Sequence, residues 1–194
     1  MVPLALSALA LGAFGFALSS FLSSRDKVVT DKDFIGGDGG PMIVLQATAI
    51  AQWQGANNFE NSLMNGGSVE TDYDVICASE DAGYAIKRHG QDMLVLDDSE
   101  WGAWIFTLPS GVIAIVQQFV GDDDINTVIE RATQKRPSKS FAIDIQDTSL
   151  RLLVGAEDGS GKTYGYKDVP ITPGTKRCDV FSSSDELVVI IKPI

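Results

Sequence analysis

Chemistry in this chain would have to come from a few clusters of acids and rings. Asp72, Tyr73 and Asp74 stand in succession. Two carboxylates beside a phenol suit acid–base work or a metal, provided that a His or a third acid stands at ligand spacing. None does here, so the knot reads as a structural turn or a contact surface, with Asp72 placed to accept backbone N–H groups. A second acidic turn, Asp97-Asp98-Ser99-Glu100, leads into an aromatic strand carrying Trp101, Trp104, Ile105 and Phe106. A third acidic run, Asp122-Asp123-Asp124, precedes Ile125, Val128, Ile129 and Ala132. That spacing predicts an amphipathic helix near Asp124 to Thr133, with the acids at its positive end.

The single histidine, His89, falls at a predicted turn and is expected to be exposed. One imidazole with neighbours this poor in ligands cannot build a zinc site, and no Ser or Cys motif would activate it. Ala156 to Thr163 reads AEDGSGKT, a relaxed form of the nucleotide-binding loop. Such a loop needs a helix after it, so that the helix N-terminus faces the phosphates. Pro170 and Pro173 exclude a long helix here, and two acids inside the loop would repel phosphate. A Gly-Ser turn with an exposed Lys162 is the reading kept. The sequence therefore assigns no catalytic residue, no metal, no cofactor and no nucleotide.

The elements that would position these groups are mostly strands. Gly36 to Pro41 turns the chain into Met42-Ile43-Val44-Leu45, and Ala47 to Gly55 suits a short helix carrying Trp53. Ala56 to Glu70 reads as a loop. Gly83 to Arg88 and Asp92 to Leu96 flank His89-Gly90-Gln91 as a hairpin. Val112 to Val116 is almost wholly apolar and reads as a central strand. Phe141 to Ile145 and Leu150 to Val154 read as another hairpin, and Arg177 to Phe181 with Leu187 to Ile191 as the last two strands. The fold class expected is α+β, mostly antiparallel β-sheet with one or two short helices.

Met1 to Ser24 carries no charged side chain and is just long enough to span a bilayer as a separate helix. No Lys or Arg precedes it, whereas Arg25 and Lys27 follow it. That favours an anchor in the inner membrane with a cytoplasmic body over a cleaved signal and export to the periplasm. Residues 25–33 read as a linker and 34–194 as the folded body. Cys77 and Cys178 do not make a disulfide framework, and a buried free thiol is the default for each. With a net charge of −11, the chain should repel nucleic acid and attract a basic partner.

From Phe34 onward the order of features resembles the twenty-first immunity-protein family of bacterial polymorphic toxin systems. The resemblance rests on Gly39-Gly40-Pro41 before an apolar strand, Trp53-x-Gly55, and Asp72-Tyr73-Asp74-x-x-Cys77. It continues through Gly83, Leu94-Val95-Leu96-Asp97-Asp98, a Pro-Gly turn, and an acidic turn before the final aliphatic strand. It implies a stoichiometric inhibitor, with no turnover of its own, that binds and neutralises a cognate toxin protein. A basic nuclease-type domain would suit the acidity. Aromatic anchors ringed by acids make good contact points. The partner-binding candidates are Asp72, Tyr73, Asp74, Asp97, Asp98, Glu100, Trp101 and Trp104, although core packing is favoured for Tyr73, as it is for Trp53. The alternatives are a membrane-tethered or exported β-rich module that binds something else and, third, an acidic hydrolase using paired carboxylates in a cleft.

Overall fold

A computed structural model describes residues 34–37, 40–57, 59–78, 82–98, 102–108, 110–118 and 124–194. The apolar segment 1–24 and the linker 25–33 lie outside the described residues. Among the described residues no helix is long and apolar enough to cross a membrane.

The strands are β1 (Phe34–Ile35), β2 (Pro41–Gln46), β3 (Tyr84–Arg88), β4 (Gln91–Asp98), β5 (Ala103–Thr107), β6 (Ile113–Gln118), β7 (Lys139–Ile145), β8 (Ser149–Val154), β9 (Tyr166–Pro170), β10 (Gly174–Ser182) and β11 (Glu186–Pro193). They form two antiparallel sheets. One has the order β1-β5-β6-β11-β10-β7 and the other β3-β4-β2-β8-β9. We call them the six-stranded and the five-stranded sheet. The helices are α1 (Ala47–Ile50), α2 (Asp72–Cys77) and α3 (Ile125–Thr133). The chain is thus mostly antiparallel sheet with a few short helices.

Side chains alternate across a strand, so a run that is apolar at every position needs cover on both sides. Strand β11 shows this. Leu187, Val189 and Ile191 face a core between the sheets, together with Met42, Val44 and Leu152 from the other sheet. Val188 and Ile190 face outward, under Ile125, Val128, Ile129 and Ala132 of α3. Helix α3 starts where the sequence places it, with the Asp124 carboxylate accepting the Thr127 N–H at 3.2 Å. The outer side of the five-stranded sheet has its own apolar layer, in which Ile43, Leu45, Val95 and Leu153 meet Trp53 and Ile76.

The expected hairpin between Phe141 and Val154 is a correction. Strand β7 pairs with β10 in the six-stranded sheet, whereas β8 pairs with β2 and β9 in the other. The chain changes sheets across residues 146–148, and this takes backbone groups out of a ladder. The side chain of Gln46, 1 % exposed, replaces those bonds. Its Nε2 donates to the carbonyls of Asp92 and Asp144, and its Oε1 accepts the Gln146 N–H at 2.7 Å. Asp92 helps, accepting the Asp144 N–H at 2.8 Å, so backbone groups at the crossing stay bonded although they have left the ladder.

Both cysteines are free. Cys178 lies in the core between the sheets, and burial, aided by the charge of Asp179, pushes its thiol up to about 12. Cys77 packs in the layer outside the five-stranded sheet.

Candidate functional site

The Asp72-Tyr73-Asp74 knot begins a helix. Thr71 is the N-cap of α2 and its hydroxyl accepts the Asp74 N–H at 3.1 Å, while Asp74 accepts the Thr71 N–H at 2.6 Å. This reciprocal pair satisfies two otherwise unpaired backbone donors. Threonine followed three residues later by an acid was the signal for it. Both carboxylates turn inward, against the expectation of a contact surface: Asp72 is 3 % exposed and Asp74 6 %.

Asp72 gathers three elements. Its carboxylate accepts the Gln54 N–H at 2.8 Å, Arg88 Nε at 2.8 Å, and lies 3.1 Å from His89 Nε2 at both oxygens. Arg88 also reaches Glu70 at 3.3 Å. Burial pushes the Asp72 carboxyl up, but the bonds from Gln54, Arg88 and His89 outweigh it and hold the group below the usual carboxylate range. Asp74 is likewise held low: burial raises it, and bonds from Thr71 and from the backbone of Met64 and Leu63 more than offset that. The Met64 N–H donates to Asp74 at 2.9 Å, so this carboxylate fastens the loop ahead of the helix.

His89 departs from its expected exposure. It sits at the β3–β4 turn with φ of +52°, followed by Gly90 at +76°. Two positive φ values in a two-residue turn match the twist of an antiparallel hairpin. The ring folds back onto Asp72 and meets the edge of Trp53 at 6.3 Å between centroids. A carboxylate–imidazole pair could orient a general base, but among the described residues no hydroxyl or thiol bonds the ring. The pair ties the hairpin turn to α2.

Trp53 is core, 1 % exposed, and its indole N–H donates to the Gly155 carbonyl at 3.2 Å. Gly55 of the same motif has φ of +56°, and a Cβ there would lie 2.2 Å from the Glu157 carbonyl oxygen. Only glycine fits where this loop meets the loop of residues 155–165. That second loop is the AEDGSGKT segment, and it joins antiparallel β8 to β9 with no helix after it. Its own acids occupy the amides a phosphate would need. Glu157 accepts the Thr163 and Tyr164 N–H groups, and Asp158 accepts that of Ser160.

Trp104 lies on β5, half-buried beside the apolar layer under α3 and tilted against Phe34 at 4.6 Å. Tyr73 is half-buried in the layer outside the five-stranded sheet. The structure therefore puts Trp104 and the Asp72–Asp74 knot on opposite outer sides of the two sheets. Asp97 and Asp98 end β4, and their side chains lie outside the description, as do Glu100 and Trp101.

Residues 59–69 lie in the loop that the sequence predicts, but their apolar side chains were not singled out there. This loop, with a 3-10 turn at Phe59–Asn61, exposes Phe59, Leu63, Met64 and Val69. The signal was four large apolar residues, with no helical or strand period, inside an Asn/Gly/Ser-rich stretch. Elsewhere, a depression beside the C-terminal end of α3 is lined by Lys135, Arg136, Ser138, Ser182 and Glu186 among others. Its one carboxylate, Glu186, is held by Arg131, whereas an acidic hydrolase needs paired carboxylates there. Among the described residues no group of three or more His, Cys, Asp or Glu is placed to hold a metal ion. No family model, no curated protein and no solved structure matches this chain.

Proposed function

We propose that the protein is an immunity-type inhibitor, which binds a cognate bacterial toxin domain stoichiometrically and neutralises it without turnover. One observation supports this most: the net charge of −11, which remains after the cations that pair internally are set against their own acids. Arg88 is engaged by Asp72 and Glu70, Arg131 by Glu186, Arg151 by Asp168, and Arg177 and Lys192 by Asp179. Each pair takes up charge of both signs, so the net charge of −11 is carried by acids outside these pairs. The field it presents is acidic, suited to a basic protein face, and close charge pairs there favour fast encounter.

The test is rescue. Co-expression with the toxin domain encoded by the adjacent gene should restore growth, and the two proteins should copurify one to one, with an on-rate that falls as salt is raised. Continued killing at full expression of this chain, with no complex formed, would rule the reading out.

A further inference from the structure

We propose that the loop of residues 59–69 is the docking surface, and that its occupant is a basic partner protein with an apolar recess. The inference rests on the reading of the protein as a docking inhibitor and moves the contact away from the acids that the sequence pointed to. Phe59, Leu63, Met64 and Val69 are 41 %, 51 %, 55 % and 42 % exposed, all within eleven residues. Scattered surface apolar residues are ordinary, but four large ones in one short loop are not.

The loop is fastened in place. Ser62 is fully buried, and Gly67 N–H donates to its carbonyl at 2.7 Å. Leu63 N–H donates to Val69 O, and Val69 N–H donates to Asn61 O, each at 3.0 Å. A Cβ at Gly67 would lie 2.1 Å from the Asn61 carbonyl oxygen, so the two ends of the loop touch. From below, Asp74 holds the Met64 N–H. A buried carboxylate and the loop's own backbone bonds thus hold a loop whose large apolar side chains are about half exposed. Such pre-organisation lowers the ordering cost of binding. Compact loops of this kind, with close ends, are frequently functional.

Charge selects the occupant. Glu60 and Glu70 flank the apolar tip; Glu70, 57 % exposed at its side chain, also meets Arg88 at 3.3 Å, and Glu60 is exposed. A second copy would bring −11 against −11, and an anionic membrane would repel the same field. A protein with Lys or Arg around an apolar recess meets both the tip and its rim.

The full chain is titrated calorimetrically with the purified toxin domain encoded by the adjacent gene. The double variant Leu63→Ser/Met64→Ser is compared with Phe34→Ser, which removes an exposed ring on the opposite outer side. The loop variant should weaken binding about 100-fold or more, the scale of a central contact, and Phe34→Ser by less than about threefold. Urea midpoints report whether each variant is folded. Wild-type binding that the folded loop variant retains would overturn this surface and leave the docking reading standing. Wild type that neither binds nor protects would overturn both. Sedimentation of wild type as a dimer that the loop variant abolishes would overturn the choice of occupant.

Discussion

Helix α3 covers the outer side of the six-stranded sheet with Ile125, Val128, Ile129 and Ala132, whereas the five-stranded sheet is covered by short segments that carboxylates tie down. In the first cover the contact is mostly apolar, with the Arg131–Glu186 pair as its one ion pair to the sheet among the described residues. In the second, Trp53 and Ile76 supply an apolar floor, but position is set by Asp72, which joins residue 54 to α2 and to the β3–β4 turn. The difference teaches what each cover is for. A greasy helix closes a core; a frame of directed bonds fixes where a loop stands. The frame is what a protein needs if the loop must meet a partner in one conformation.

The largest expected effect falls on the apolar cover. Ile129 is fully buried, and Ile129→Ala should cost about 3 kcal/mol, through lost burial and a residual cavity. Urea unfolding should show that loss equally at neutral and at acid pH, because the Ile129 side chain packs only among apolar groups of this layer. A pH-dependent difference would mean that the packing of Ile129 is coupled to the Arg131–Glu186 pair of the same helix.

On the bonded cover, Asp72→Asn keeps the shape and removes the charge. It should cost about 2 kcal/mol at neutral pH, the worth of charge-assisted bonds to Arg88 and the Gln54 amide. Because the Asp72 carboxyl is held below its ordinary value of 3.8, its contribution is present above that value. It is lost as pH falls through the folded value. The gap between wild type and Asp72→Asn should therefore close with acid, while that of Ile129→Ala stays open. Parallel curves at all pH values would erase the proposed contrast.

What could be read from the residues follows the same division. Helix α3 was legible because burial repeats with the helical period, as at Ile125, Val128 and Ile129, and strands β6 and β11 because each holds an unbroken apolar run. The β3–β4 turn was legible from Gly90. Helix α2 was not: its six residues include Tyr73, Val75 and Ile76, which favour strands, and only the Thr71–Asp74 cap marks it. Nor was the departure of β7 from β8, since a polar turn between two apolar runs fits a hairpin and a crossing equally. The deciding group, Gln46, lies a hundred residues from Gln146, whose amide it satisfies. The inward set of Asp72 and Asp74 depends on partners at residues 54, 64 and 88, which no local pattern names.

The cap itself gives a smaller effect. Thr71→Ala removes the hydroxyl that accepts the Asp74 N–H and should cost about 1 kcal/mol. Amide exchange should rise at Met64 as well as in α2, because Asp74 holds both. A rise confined to α2 would separate the helix from the loop and weaken the idea of a frame.

His89→Gly should be the smallest, because two terms oppose. The histidine holds φ at +52°, a strained value for any residue with a Cβ, and glycine relieves about 1 kcal/mol of that. Against this, glycine loses the bond to Asp72, worth about 1 kcal/mol on net, and the edge contact with Trp53. Asp72 would still hold Arg88 and the Gln54 amide, so no buried charge is stranded. The net change should lie within about 0.5 kcal/mol of wild type, in urea unfolding at neutral pH. A loss several times larger would make His89 the main tie between hairpin and helix, and Arg88→Gln would then be the milder change. A gain would show the strained turn to be retained for something other than stability, with the ring's position beside Asp72 as the feature to follow.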